Sequence, residues 1–177
     1  MEIRDWRVSN IQSPISDYRS PMKTLVLALG NPLRGDDGVG TAVLQALQSH
    51  PTVSSRAALL DGGAPGLETV LLLEGYAKAI IVDAAEMGLA AGEWRRFTPG
   101  NGRLPARDAH LSGTMHSAGL AEALALGEAL DLLPPELVIY GVQPGEIGWE
   151  TGLSAGVETA VAQVAAAILA ELGCCLS

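Results

Sequence analysis

From residue 24 onward the chain alternates short apolar runs with stretches whose apolar residues return every three or four positions. Thr24-Leu25-Val26-Leu27-Ala28-Leu29 is continuously apolar, as a strand covered on both faces should be. After the turn Gly30-Asn31-Pro32-Leu33-Arg34-Gly35, residues Val39, Ala42, Val43, Ala46 and Leu47 recur at helical spacing and predict a helix from about Asp37 to Ser49. A second strand is predicted over Ala57 to Leu60, ending at Asp61-Gly62-Gly63. Leu67, Val70, Leu71 and Glu74 then outline a short helix that stops near Gly75. The third strand, Ala79-Ile80-Ile81-Val82, ends at Asp83, and Glu93 to Phe97 has the polar alternation of an edge strand. Thr98 to Met115 reads as a long loop, of a length that in compact domains is often functional. Ser117 is placed to cap a helix whose apolar face holds Leu120, Ala123, Leu124 and Leu130. Leu137-Val138-Ile139-Tyr140 predicts a fifth, buried strand, and a last helix runs from after Ser154 to a C-terminal cap at Gly173. Strands alternating with helices predict an α/β fold with a mostly parallel sheet.

Residues 1–22 are polar, mixed in charge and broken by Pro14 and Pro21, and read as a loosely held extension before one domain over 23–177. No internal repeat is visible. The net charge is −9, and the aromatic residues are three Trp, three Tyr and one Phe. Such a surface repels phosphate backbones and lacks a base-stacking platform, so nucleic acid is not an expected partner. The two cysteines, Cys174 and Cys175, are adjacent, so they form no disulfide framework and read as reduced thiols on a tail. The most apolar stretch, Ala155 to Leu172, is interrupted by Glu158, Gln163 and Glu171, so no membrane span is expected. Glu2, Arg4, Asp5 and Arg7 are followed by no apolar core, unlike a signal peptide. The expectation is a cytoplasmic protein.

Acidic residues collect after the three central strands: Asp36-Asp37 after the first, Asp61 after the second and Asp83 after the third. Open parallel sheets bind ligands outside the carboxyl ends of their strands, where successive connections cross to opposite faces. With strand order 2-1-3, that crevice lies between strands one and three and is lined by Asp37 and Asp83. His116 lies just before the helix that follows the long loop, where a helix N-terminus disfavours imidazolium and leaves a neutral ring able to bind metal. Two carboxylates and one imidazole make a three-ligand set with open positions for water or substrate. Plainer readings stand beside this one. Asp36 or Asp37 can be a helix N-cap, Asp83 can satisfy loop amides, and Asp61 before Gly62-Gly63 is a tight-turn pattern. A lone histidine is often a packing residue, and His50 and His110 read as surface residues.

Other site patterns are missing. There is no His-Glu-x-x-His helix, no Walker lysine and no G-x-S-x-G elbow. The Gly30 loop lacks dinucleotide-type glycine spacing, and Pro32 removes a backbone donor.

Residues 27–40, Leu-Ala-Leu-Gly-Asn-Pro-Leu-Arg-Gly-Asp-Asp-Gly-Val-Gly, resemble a motif of the hydrogenase maturation proteases. Further matches are Asp61-Gly62-Gly63, Ile81-Val82-Asp83-Ala84, His116-Ser117-Ala118-Gly119-Leu120, Gly141-Val142-Gln143-Pro144 and Gly152-Leu153-Ser154. The likeness spans about residues 23–172, with Ala28 and Ala64 where many members carry Gly and Thr. It implies a three-layer sandwich, with a five-stranded, mostly parallel sheet and helices on both faces. It also implies an endopeptidase that trims a C-terminal extension from the nickel-loaded precursor of a [NiFe] hydrogenase large subunit. Nickel would come in with that precursor. Carried over, the metal ligands are Asp37, Asp83 and His116, with Asp61 supporting or catalytic. Two competing classes keep parts of this reading: a non-enzymatic nickel-sensing scaffold for the same precursor, and a nucleotide-binding domain.

Overall fold

The computed structural model describes residues 24–99, 115–149 and 151–174; the side chains of 115–118 lie outside the description. Five strands, β1 (Thr24–Ala28), β2 (Ala58–Asp61), β3 (Lys78–Ala84), β4 (Trp94–Phe97) and β5 (Glu136–Val142), form one sheet in the order β2-β1-β3-β5-β4. β1, β2, β3 and β5 are parallel, and β4 closes one edge antiparallel to β5. The helices are α1 (Val39–Gln48), α2 (Thr69–Leu73), α3 (Met115–Ala129) and α4 (Ala155–Glu171).

The continuous apolar runs explain the layering, because alternate residues of a strand face opposite sides and both sides here are covered. Val26, Ala28, Ile80, Val82, Val138 and Tyr140 point to one face and pack with Val39, Val43 and Leu47 of α1 and Val157, Val164 and Ile168 of α4. Leu25, Leu27, Ala79, Ile81, Leu137 and Ile139 point to the other, against Leu73 of α2 and Leu120 and Leu124 of α3. The three-layer α/β sandwich with helices on both faces is therefore as expected, and so is the edge position of the fourth strand.

The chain leaves β1 through α1 to reach β2, then crosses back through α2 to reach β3 on the other side of β1. The carboxyl ends of β1 and β3 thus flank the switch point. α1 is pressed hard onto this seam: a Cβ at Gly40 would stand 2.4 Å from the Leu29 carbonyl oxygen and 2.8 Å from that of Val82. Only glycine lets the helix approach so closely.

Several local expectations are corrected. Asp83 does not follow the third strand but lies within it, paired with Gly141, because the β3–β5 ladder continues to Ala84 and Val142. The first helix starts at Val39 rather than Asp37, since Gly35–Gly38 winds more tightly as a 3-10 turn. α3 starts at Met115, so Ser117 lies inside its first turn rather than capping it, and Leu130 falls beyond the helix, 56% exposed. The C-terminal cap is as expected at Gly173, whose φ is +67°. Its amide donates to the Ala170 carbonyl and that of Cys174 to Leu169, the paired closure of a Schellman motif. Cys174 is consequently not on a loose tail but buried against the α1–α4 core. His50 is half-buried rather than on the open surface, its Nδ1 3.2 Å from the Thr52 hydroxyl. The 1–22 extension, most of the 98–115 loop, His110 and Cys175 lie outside the described residues. No helix among the described residues is long and apolar enough to cross a membrane.

Candidate functional site

The turn after β1 carries Asp36 and Asp37, both almost fully buried. Gly30, with φ of +111°, opens it. A Cβ there would overlap the Asp37 carbonyl oxygen at 1.9 Å, so the loop closes on itself only because residue 30 is glycine. Asp37 Oδ2 accepts a hydrogen bond from the Asn31 amide at 2.9 Å, which fixes the carboxylate against its own loop.

Asp83 continues the side-chain alternation of Ala79 and Ile81, and so leaves the sheet toward the α2–α3 face. It is 3% exposed, and its Oδ1 has no hydrogen-bond partner among the described residues. Burial, and then the negative charge of Asp37, push its carboxyl up to about 7, against a smaller opposing hydrogen bond from the Ala84 amide. Asp37, in the turn after β1, and Asp83, near the end of β3, are therefore close enough at the switch point for their charges to interact, and Asp83 keeps an oxygen with no partner among the described residues. A buried donor set of that kind fits a cation, which would remove the repulsion and supply the missing partner.

His116 lies in the first turn of α3, on the same face of the sheet as Asp83. The loop after β2 meets this end of α3: a Cβ at Gly119 would be 2.8 Å from the Pro65 carbonyl oxygen. The backbone thus brings His116 to the carboxyl end of the sheet, while its side chain is outside the described residues. Among the described residues no three His, Cys, Asp or Glu side chains gather closely enough to hold a metal.

Asp61 ends β2, beside Ala28 of β1. It is exposed, and accepts from the Gly63 amide at 3.0 Å and the Thr41 hydroxyl at 3.1 Å. The tight-turn reading is thereby realised, with the carboxylate on the rim.

Neither adjacent acid caps α1. Asp36 instead turns to the loop between β5 and α4. Its Oδ2 accepts from the amides of Gly145 (2.8 Å) and Glu146 (3.1 Å) and from the Ser154 hydroxyl (2.8 Å), and its Oδ1 from the Ser154 amide at 2.6 Å. Burial alone would raise this carboxyl's pKa, but the hydrogen bonds from Ser154, Glu146 and Gly145 outweigh it and hold the group below its usual range. A second rim anchor, Gln143, was visible in the sequence only as part of a motif. Its buried Oε1 accepts from the amides of Met87 (2.7 Å) and Leu89 (3.2 Å), and its Nε2 donates to Glu86 and to the Pro144 carbonyl. The loop that follows Asp83 is so tied to the end of β5.

A doubly wound sheet with buried acids at its switch point defines an α/β class of protein whose ligand crevice lies at the carboxyl ends of the strands. Comparison with known proteins narrows it. The family model described as hydrogenase maturation protease matches residues 41–171, so the chain belongs to the hydrogenase maturation protease family. The chain is similar to the hydrogenase expression/formation protein HupD of Thiocapsa roseopersicina, 35% identical over 129 residues. That match covers 73% of this chain and 58% of the relative, so the alignment spans little more than half of that protein's length. It is also similar to the hydrogenase 2 maturation protease of Escherichia coli strain K12, 27% identical over 157 residues, covering 85% of this chain and 91% of that protein. Among solved structures, the hydrogenase maturating endopeptidase HybD from E. coli superposes with a TM-score of 0.71 at 26% identity, covering 85% of this chain and 92% of that one. The [NiFe] hydrogenase maturation protease HybD from Thermococcus kodakarensis has a TM-score of 0.67 at 29% identity, covering 85% and 98%.

Proposed function

We propose that this chain is an endopeptidase that removes a C-terminal extension from the nickel-loaded precursor of a [NiFe] hydrogenase large subunit, acting in the cytoplasm. The observation that carries the proposal is the interacting pair Asp37 and Asp83, the latter with a buried oxygen that has no partner among the described residues, in a chain of the hydrogenase maturation protease family. Nickel belongs to the substrate, and its charge would polarise the scissile carbonyl or an attached water. Asp37 and Asp83 offer carboxylate oxygens to it, and His116 completes the set with an imidazole nitrogen. Asp83 gives up any proton it holds as the cation approaches, because opposite charge nearby favours the ionised form. Ligation by three groups from the turn after β1, from β3 and from α3 would orient the precursor, so that its cleavage site is presented by proximity. Asp61, exposed on the rim, takes up and returns the proton that hydrolysis moves.

The test is the mass of precursor before and after incubation. Wild type is expected to shorten nickel-loaded precursor and leave nickel-free precursor intact, while Asp37→Ala, Asp83→Ala and His116→Ala leave both intact. Unimpaired trimming by all three variants would end the metal-ligand assignment. Stable binding of the precursor by wild type with no loss of mass would replace the enzyme with a scaffold.

A further inference from the structure

The acid that ties the turn after β1 to the β5–α4 loop is not one of the proposed ligands. We propose that Asp36 is a positioning residue for the cleavage reaction: it locks the turn carrying Asp37 to the β5–α4 loop, so that Asp37 is held in place before substrate arrives. The inference rests on the function proposed above and adds to it a residue with no direct contact to the metal.

Three observations support it. Asp36 is 1% exposed, and its carboxylate accepts hydrogen bonds from the amides of Gly145, Glu146 and Ser154 and from the Ser154 hydroxyl. The lock also works in the other direction, since the Asp36 amide donates to the Glu146 carbonyl at 3.2 Å. Finally, the next residue in the chain is Asp37, inside the same four-residue 3-10 turn, so a shift of one acid displaces the other. Helix capping, the ordinary use of an aspartate here, is excluded because no α1 amide receives its side chain.

The geometry requires an acceptor at both oxygen positions. Oδ1 and Oδ2 both accept from backbone amides, so an asparagine in either orientation turns its NH2 toward at least one N–H. Asp36→Asn therefore leaves a buried donor facing a donor.

The test combines hydrogen–deuterium exchange with the precursor-trimming assay, run well below each variant's melting temperature. Asp36→Asn is expected to keep slow exchange in β1, β3 and β5, to exchange faster in both 31–37 and 144–154, and to lose about 10–100-fold in kcat, the usual range for partners that orient a ligand. Ser154→Ala removes one of the bonds and should show the same two-segment pattern with a smaller loss in kcat. Wild-type kcat in Asp36→Asn, or faster exchange in only one of the two segments, would overturn the proposal. If Asp36→Asn does not fold, Ser154→Ala decides alone: unchanged kcat and unchanged exchange refute the lock. If wild type itself does not trim precursor, the proposed function falls, and the lock is then judged by the exchange pattern.

Discussion

Two charged regions of the same sheet obey opposite rules. Toward its amino end, Lys78 reaches Glu136 at 2.6 Å and Glu171 at 3.0 Å, Arg96 reaches Glu171 at 2.6 Å, and the Tyr140 hydroxyl donates to Glu171 at 2.6 Å. Burial alone would raise the Glu171 carboxyl, but the hydrogen bonds from Arg96, Tyr140 and Lys78 lower it to about 2. At the carboxyl end Asp83 meets a like charge, its carboxyl rises to about 7 and one of its oxygens has no partner among the described residues. Matched charge stabilises the fold, whereas the mismatch at Asp83 is a cost that the fold carries and that a cation would relieve. Two acids of one molecule thus sit in opposite electrostatic settings, Glu171 matched by cations and Asp83 beside a like charge.

The strongest way to break this contrast is Asp83→Asn. Cleavage of nickel-loaded precursor should fall by more than about 100-fold, since even residues that only orient a metal ligand cost about 10–100-fold. Thermal unfolding of the metal-free variant at pH 8 should nonetheless occur at a higher temperature than in wild type, because a buried carboxylate is replaced by a neutral isostere. The sign in wild type follows from a folded pKa of about 7 above an ordinary value of 3.8: the folded state holds the proton longer, so stability declines as pH rises from about 4 to about 7 and is level beyond. Asp83→Asn should lack that decline. A melting temperature that drops instead would erase the distinction between the two regions.

Gly40→Ala sharpens the contrast by disturbing the seam without touching a charge. Its Cβ must displace the carbonyls of Leu29 and Val82, so denaturant unfolding should register a loss of about 1–3 kcal/mol. At the other end, Glu171→Gln should cost about 1–2 kcal/mol after allowance for solvent screening, with trimming of the precursor unchanged. Its contribution in wild type is present above the ordinary value of 4.5 and is lost as pH falls toward about 2. Cys174→Ser, which puts a hydroxyl into the α1–α4 core, should cost about 1 kcal/mol in the same unfolding measurement.

The layered fold was legible because its information is local. Unbroken apolar runs at 24–29, 79–82 and 137–140 mark strands covered twice, and helical spacing between them implies crossovers. The acids after β1 and in β3 were legible for the same reason, since strand ends locate themselves. What the sequence concealed was the use of polar side chains over long separations. Asp36 looked like a cap because caps are local, but its partners are 109 to 118 positions away. Gln143 holds amides 54 and 56 positions earlier, and no periodicity announces that. Asp83 was placed past its strand because an acid rarely continues a buried ladder. Cys174 was misjudged by its nearness to the terminus, although a cap glycine followed by an apolar residue is the pattern of a Schellman closure.

The central claim, that the carboxylates of Asp37, after β1, and Asp83, in β3, together hold a cation, is tested most directly by diffraction from crystals soaked in nickel or cadmium. Anomalous density is predicted between Asp37 and Asp83, within bonding reach of His116, and should vanish in Asp83→Ala crystals. Metal bound elsewhere on the chain, with that crevice empty at the same occupancy, would contradict the account.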